Sequence, residues 1–410
     1  KLVQYINAVR HPTEATRRNY SIQGYGNYLA VVDQAVLKAE ADTMAASMRE
    51  TGLVSQFHAV LLGFLIKNQP GLVANALGLS ELGKAELSNY RKRVFELIEE
   101  NVVPHNCQCI YGLSEMLNNA VFANRSVRMA LDNIRRINIH PTVERRILDS
   151  SGDPSPHVTA RQYLLGAIFR VLGQPLGIGQ GNNPTCQSAR GISMWSQHSP
   201  ARLIDMITAA ATDNRLHFRF EHKELDSVKL AQGLAEKIDF NLDAVSVVLV
   251  PHLDRIYNAM MKAATGRGED PHKWVNPAMY GEWIPVNFLS AYSFHQNAIV
   301  KYRHFLRTFF ANFHPDFNRQ KKLVYPNPVG IFLTSATGQK VGFHAVSLLR
   351  VGKDPEGTLR AYFYNPNNEG RQDWGQGIKP AVRGNGERHG ESSVPFHGFA
   401  ARIYAFHYSQ

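Results

Sequence analysis

The pattern of hydrophobic residues changes near Pro326, and this change limits the chain to a fold that combines helices with a separate sheet. Before Pro326, most apolar residues recur at three- and four-residue steps, the period of an amphipathic helix. After it come short apolar runs separated by turn residues, at 329–335, 340–351, 358–364 and 399–407. Strands joined by short turns are antiparallel neighbours. The sequence therefore predicts the α+β class, with helices first and an antiparallel sheet last.

The same periodicity predicts the individual elements. We expect one strand over 244–250, where valines predominate, and helices over 25–50, 53–67, 85–101, 109–122, 126–137, 158–172, 186–197, 200–213, 224–238, 251–265 and 286–312. Small, polar and Pro/Gly residues cluster at 150–156, which is typical of a linker. We therefore predict two domains, a helical one over 1–150 and a second one over 157–410.

Composition and charge exclude several classes of protein. Hydrophobic residues make up 44% of the chain and charged residues 19%, so the chain is able to bury a sizeable core. The longest apolar run, 53–66, is shorter than the roughly 20 residues of a bilayer span, and we expect a soluble protein without a transmembrane segment. The net charge of +11 is spread over scattered basic pairs, so we predict no obligatory nucleic-acid partner.

The chain has only three cysteines, Cys107, Cys109 and Cys186, which do not make a disulfide framework. This favours a reducing compartment. His105 precedes the Cys107/Cys109 pair, but no second Cys/His cluster stands at zinc spacing. We therefore predict neither a metal site nor a cofactor.

One cysteine stands where a nucleophile would be activated. Cys186 follows a Gly/Asn/Pro-rich loop and begins an amphipathic stretch, and a thiol at a helix N-terminus is stabilised as thiolate. Gln180 lies six residues earlier, and its amide could donate a hydrogen bond to a developing oxyanion. The glycines at 177, 179 and 181 allow the close backbone approach that this requires.

A base and a residue that orients it follow in the strand region. His344 lies within an apolar run, and Asn365 comes directly after the next predicted strand. If these two strands form a hairpin, Asn365 can hold one imidazole nitrogen while the other faces Cys186. Asn367 and Asp373 compete with Asn365 for this third position. The other isolated histidines are read as surface or core residues: His252, His272, His314 and His397.

This constellation resembles the papain-like cysteine peptidases. The Gln180-to-Cys186 spacing is that of papain, and the strand end Tyr-Asn-Pro-Asn-Asn-Glu-Gly is similar to the Asp-Pro-Asn-x-Gly pattern of YopT-like bacterial effector peptidases. The resemblance covers about 173–410. Two features depart from these families. The Cys-Gly-Ser-Cys-Trp motif of papain is absent, since Cys186 is followed by Gln-Ser-Ala-Arg. Asn365 stands where the YopT-like pattern has Asp.

The resemblance implies a papain-like catalytic domain with a helical half and a C-terminal sheet. It implies a thiol hydrolase that cleaves an amide bond in a protein substrate, with Cys186, His344, Asn365 and Gln180 as its catalytic residues. The same triad serves transglutaminases and glutamine deamidases, and both alternatives remain open. Likeness to the effectors implies delivery into a host cytosol and a host protein as target. The helical 1–150 region is expected to recognise a substrate or partner, or to act as a pro-segment. In a third alternative, the chain is a non-enzymatic helical interaction protein.

Overall fold

A computed structural model describes residues 2–151, 157–230, 242–321, 323–335, 337, 339–367, 373–375 and 377–409. The α-helices are α1 (Leu2–Arg10), α2 (Glu14–Arg18), α3 (Ile22–Val31), α4 (Gln34–Thr51), α5 (Gln56–Asn68), α6 (Val73–Ala76), α7 (Glu81–Asn101), α8 (Cys109–Asn118), α9 (Arg125–Ile134), α10 (Pro141–Ser150), α11 (Ala160–Gly173), α12 (Cys186–His198), α13 (Pro200–Asp213), α14 (Ala244–Ala264), α15 (His272–Tyr280), α16 (Tyr302–Phe313) and α17 (Phe396–Ala400). The strands are β1 (His217–Phe220), β2 (Lys223–Asp226), β3 (Asn287–Ser290), β4 (Tyr292–Ser293), β5 (Ala298–Ile299), β6 (Asn327–Thr334), β7 (Lys340–Lys353), β8 (Leu359–Tyr364), β9 (Ser392–Pro395) and β10 (Ile403–Tyr408).

The chain divides into two compact units. The helical unit covers Lys1–Pro175, Ser199–Asn214 and Asp243–Val248. The sheet unit covers Leu176–His198, Arg215–Leu242 and Leu249–Gln410. None of the helices described is long and apolar enough to cross a bilayer.

The helical unit shows how local signals fix helix ends. Asp33 caps α4, because its side chain accepts a hydrogen bond from the Val36 N–H, and α4 ends at Gly52 in the left-handed conformation. In the middle of the unit, α8 and α11 lie almost backbone to backbone. A Cβ on Gly112 would lie 2.5 Å from the carbonyl oxygen of Phe169, so only glycine permits this contact.

A six-stranded antiparallel sheet forms the centre of the sheet unit, in the order β3-β10-β6-β7-β8-β9. Helix α16 covers it with phenylalanines at four-residue steps, Phe305, Phe309 and Phe313, which lie on one side of a helix. The Phe309 ring lies 5.4 Å from that of Phe396 and 5.3 Å from that of Phe406. This aromatic core packs against the central strands. Strand β7 carries His344, and β8 ends directly before Asn365.

The predicted α+β class is confirmed among the described residues, with a helical N-terminal part and a C-terminal antiparallel sheet. Strands β6, β7 and β8 follow the predicted runs closely. The predicted linker at 150–156 falls mostly outside the described residues, and the proposed domain limits stay predictions.

Three predicted elements are wrong. Residues 244–250 begin helix α14 instead of forming a strand, because a run of buried valines suits either structure and only tertiary packing decides. Of the predicted helix over 286–312, only α16 is helical. Its first part forms β3, which pairs with β10, and the small β4–β5 hairpin. At 224–238 the chain begins as β2, paired with β1, and 231–241 lie outside the described residues.

Two further predictions are partly wrong. The stretch 25–50 contains two helices, α3 and α4, because Asp33 caps a new helix there. The last predicted strand is shorter than expected, since α17 precedes β10.

The aromatic core of the sheet unit makes a testable prediction. Replacing Phe309 with Ala removes a fully buried ring and should destabilise the sheet by about 3–5 kcal/mol. Hydrogen exchange of the β6 and β7 amides would report this as faster exchange. Phe317→Ala is the matched control, because this ring is 58% exposed and its loss should change the exchange little. Equal effects of the two substitutions would contradict the assigned core.

Candidate active site

The candidate nucleophile is the first residue of helix α12. Backbone N–H groups in the first turn of a helix have no intrahelical acceptor, and they favour negative charge beside them. The loop before Cys186 is tied to the end of β8, because Tyr364 donates its hydroxyl to the Ile178 carbonyl at 2.6 Å and the Gln180 N–H donates to the Pro366 carbonyl at 3.0 Å. These bonds bring the thiol to the edge of the sheet where β8 ends.

His344 and Asn365 meet across the β7–β8 pair. The imidazole Nε2 of His344 donates to Asn365 Oδ1 at 2.7 Å, and both residues are buried. Asn365 Oδ1 also accepts the backbone N–H of Asn367 at 3.1 Å, which fixes the orientation of the amide. With Nε2 engaged, the Nδ1 atom of His344 is the ring nitrogen left to act on Cys186, which lines the same cavity.

The surroundings of the thiol lower its pKa. Burial by itself raises the pKa of Cys186, because a buried thiolate loses its hydration. The hydrogen bond from His344, the charge of that imidazole, the backbone N–H of Ala345 and the charge of Arg190 act in the other direction and outweigh burial. The pKa of the other two cysteines is raised by burial, to about 11 for Cys107. Of the three cysteines, Cys186 is therefore the one whose pKa lies below its usual value.

Of the three residues considered for the third position, Asn365 is the one bonded to His344. Asn367 contributes its backbone N–H to Asn365, and its side chain lines the neighbouring cavity. The Asp373 carboxylate accepts the Gly375 N–H at 2.7 Å and so closes its own turn.

Gln180 lines the cavity beside the thiol, but its amide is partly engaged. Its Nε2 donates to the Asn183 carbonyl at 2.9 Å, and within the described part of the chain its Oε1 is buried without a partner. One N–H of the amide remains for a second acceptor. The expected turn in this loop is present at Gly181, which has a φ of 60°.

A cavity of about 460 Å³ opens beside these residues. Cys186, His344 and Gln180 line one part of it, and aromatic side chains line another: Phe288, Phe294, Phe343 and Tyr404. This is within the usual size range of a small-ligand site. Among the described residues, no three His, Cys, Asp or Glu side chains form a group that could hold a metal ion.

Sequence reasoning missed Arg190, which lies one helical turn after Cys186 and is 2% exposed. Its Nη1 donates to the Val329 carbonyl of β6 at 3.2 Å and to the Val346 carbonyl of β7 at 3.3 Å. Nε and Nη2 donate to the Tyr280 hydroxyl, and Nη2 also reaches Asn276 Oδ1 at 3.5 Å. None of the described carboxylates pairs with this guanidinium. The available signal was an arginine in an apolar stretch without an acidic residue three or four positions away.

Arg190 therefore joins the helix that carries the thiol to the strand that carries the imidazole. Val346 lies two residues after His344 on β7, so the two hydrogen bonds fix the start of α12 beside the base. The uncompensated charge also favours the thiolate.

His272, which sequence reasoning assigned to surface or core, also lines the cavity, together with Gln187 and Tyr257. A lone histidine carries no sequence signal of such a role, because its neighbours come from other elements.

Comparison of the chain with protein-family models, with curated proteins and with solved structures found no match. The resemblance to papain-like peptidases therefore depends on the residues named above and on their arrangement.

The role of Arg190 makes a prediction about thiol ionisation. In Arg190→Met, the pH midpoint of Cys186 alkylation should rise and the rate at neutral pH should fall about tenfold, because a favourable charge and the link to β7 are both lost. Arg190→Lys keeps the charge but lacks the planar guanidinium that donates to both strands. The alkylation rate of this variant should therefore lie between those of wild type and Arg190→Met. Circular dichroism would establish that the variants fold. Arg307→Lys, on the exposed side of α16, is the control. An unshifted midpoint in folded Arg190→Met would rule out this role.

The cysteine pKa shifts predict how labelling depends on pH. Alkylation rates follow the thiolate fraction, so at neutral pH iodoacetamide should label Cys186 well before Cys107. As the pH rises towards about 11, Cys107 should begin to ionise and react. Peptide mass mapping over a pH series measures both rates. Equal labelling of Cys107 and Cys186 at neutral pH would contradict the lowered pKa of Cys186.

Proposed function

We propose that this protein is a papain-like thiol hydrolase that cleaves an amide bond in a protein substrate. The observation that carries the proposal is that the His344 imidazole donates to the buried Asn365 amide and lines, together with the Cys186 thiol, a cavity able to hold a substrate. Nucleophile, base and orienting residue in this order of contact are the requirement for covalent catalysis by a thiol.

In the proposed reaction, the Cys186 thiolate attacks the carbonyl carbon of the amide. The His344 imidazolium then gives its Nδ1 proton to the leaving nitrogen, and water later hydrolyses the thioester with the same imidazole as base. Asn365 keeps Nε2 occupied, so that Nδ1 is the atom that exchanges the proton. The backbone N–H of Cys186 and the remaining N–H of the Gln180 amide are the candidate donors to the oxyanion.

The helical 1–150 region is proposed to recognise a substrate or partner, or to act as a pro-segment. A host protein as target is proposed from the resemblance to effector peptidases alone. A non-enzymatic interaction protein would have no use for a buried imidazole that is held by Asn365 and shares a cavity with a thiol, and this arrangement favours an enzyme.

An active-site probe tests the proposal directly. An epoxysuccinyl or vinyl-sulfone probe should label Cys186 selectively, and mass analysis of candidate protein substrates should show fragments or a changed intact mass that are absent with Cys186→Ala. If the probe labelled Cys107, Cys109 and Cys186 at equal rates, the assignment as a thiol hydrolase would fail. Unchanged cleavage by Cys186→Ala would lead to the same conclusion.

Asn365→Ala is a second test of the same arrangement. Without the amide, the imidazole is free to rotate and to change its tautomer, so the rate of probe labelling should fall at least about tenfold. The measurement is the labelling rate at fixed pH, with the thermal midpoint as a check of folding. Asn133→Ala, at an exposed position of α9, is the matched control. Equal rates for wild type and a folded Asn365→Ala would remove Asn365 from the mechanism.

A further inference from the structure

Two polar side chains of the cavity are each oriented by a buried carboxylate that lies behind them. The first is Gln187, the residue after Cys186. Its Nε2 donates to Asp254 Oδ1 at 3.0 Å, so its Oε1 faces Cys186 and accepts a hydrogen bond from that thiol at 3.6 Å. Asp254 is 4% exposed and also accepts from Asn258. The amide of Gln187 is therefore held with its acceptor atom beside the thiol.

The second is Tyr257, which belongs to a chain of three hydrogen-bonded groups. Its hydroxyl lies 2.6 Å from His272 Nε2, and His272 Nδ1 lies 2.7 Å from Asp270 Oδ1. The Asp270 side chain is fully buried. Because a carboxylate only accepts, it takes the Nδ1–H, and Nε2 is left as the ring nitrogen that accepts the tyrosine O–H. The lone pairs of the Tyr257 oxygen are then left for the cavity.

The cavity therefore offers two acceptor oxygens, each with a negative charge behind it. Burial, together with the neighbouring Tyr280, keeps the pKa of Tyr257 far above its usual range, so the hydroxyl stays protonated and directed at His272. The buried Arg190 guanidinium does not compete as a donor, since its N–H groups are engaged by backbone carbonyls, Tyr280 and Asn276. Acceptors arranged in this way select a group with N–H donors over a carboxylate.

We propose that Gln187 and Tyr257 bind a nitrogen that carries at least two N–H bonds, next to the reacting carbonyl. This inference rests on the proposed function and narrows its substrate class. Such a nitrogen is either the leaving group of a primary carboxamide or an incoming primary amine. A peptide nitrogen, by contrast, carries one hydrogen and a bulky substituent, and satisfies only one of the two acceptors.

Hydrolysis of a carboxamide and transfer to an amine can both be completed with the groups present. The Cys186 sulfur bonds to the carboxamide carbon, His344 gives its proton to the nitrogen, and ammonia leaves as the C–N bond breaks. The thioester then reacts with water to give a carboxylic acid, or with the amine to give a secondary amide. In either case His344 accepts a proton from the nucleophile, and the thiol is restored.

Small alkylating agents test this selectivity without knowledge of the substrate. Iodoacetamide carries a carboxamide, iodoacetate a carboxylate and 2-bromoethylamine an ammonium group. Their rates with Cys186 are divided by their rates with glutathione at the same pH, which removes intrinsic reactivity. We expect the normalised rate of iodoacetamide to exceed that of iodoacetate by roughly threefold to tenfold, the effect of about one hydrogen bond. A gain for iodoacetamide alone indicates the leaving carboxamide, and an equal or larger gain for 2-bromoethylamine indicates the amine.

Two variants assign the effect to the acceptors. Tyr257→Phe and Gln187→Met each remove one acceptor at similar side-chain volume. In each variant, the ratio of iodoacetamide to iodoacetate rates at Cys186 should fall towards the ratio measured with glutathione. Tyr302→Phe, on an exposed residue of α16, is the matched control and should leave it unchanged.

The outcomes separate this inference from the proposed function. The inference is overturned if Cys186 reacts fast but with the same ratio of iodoacetamide to iodoacetate rates as glutathione, or with a preference for iodoacetate. Either result leaves a thiol hydrolase in place. A preference for iodoacetamide that survives both acceptor variants also overturns the inference. Cys186 alkylation no faster than that of glutathione with every reagent overturns the proposed function and, with it, the inference.

Discussion

The site depends on a buried guanidinium that must satisfy all its N–H groups without a carboxylate. Burying an unpaired charge is costly unless hydrogen bonds replace its hydration, and Arg190 finds them in two backbone carbonyls, a tyrosine hydroxyl and an asparagine amide. Because these acceptors belong to β6, β7 and α15, the charge can be satisfied only when α12 lies against the two strands. The arrangement that satisfies Arg190 is therefore also the one that brings Cys186 to His344.

Charge around the thiol is controlled by distance and by orientation. Arg190 and the Ala345 N–H favour the thiolate directly, against the opposing effect of burial. Asp254 and Asp270 do not line the cavity, since Asp254 lies behind Gln187 and Asp270 behind His272. Each carboxylate acts through the side chain that it orients. A directly exposed carboxylate would oppose ionisation of Cys186, whereas an oriented amide or hydroxyl is able to bind substrate without adding a charge.

The side chains of the site bear on function more directly than the fold does, because one fold can serve many reactions. A thiol beside an imidazole that is hydrogen-bonded to a buried amide can serve hydrolysis, deamidation or amine transfer. These reactions share the attack and the acyl-enzyme and differ in the leaving and incoming groups. Gln187 and Tyr257 bear on the choice of leaving or incoming group, since they are the acceptors proposed to bind its nitrogen. They leave the attack and the acyl-enzyme unchanged.

Much of the local structure could be predicted from the sequence. The strands β6, β7 and β8, the start of α12 at Cys186 and the position of Asn365 directly after β8 follow from periodicity, turn residues and spacing. These features depend on residues close together in the chain. They were sufficient to select Cys186, His344 and Asn365, because a hairpin brings the last two together.

Only the tertiary structure decided the rest, because the deciding partners are distant in sequence. The valines of 244–250 are helical, and β3 is a strand through its pairing with β10, more than a hundred residues later. Arg190 and His272 show no motif, and their roles depend on the carbonyls of β6 and β7 and on Tyr257 and Asp270. The sequence determined which residues could react, and long-range packing decided which groups orient them and line the cavity.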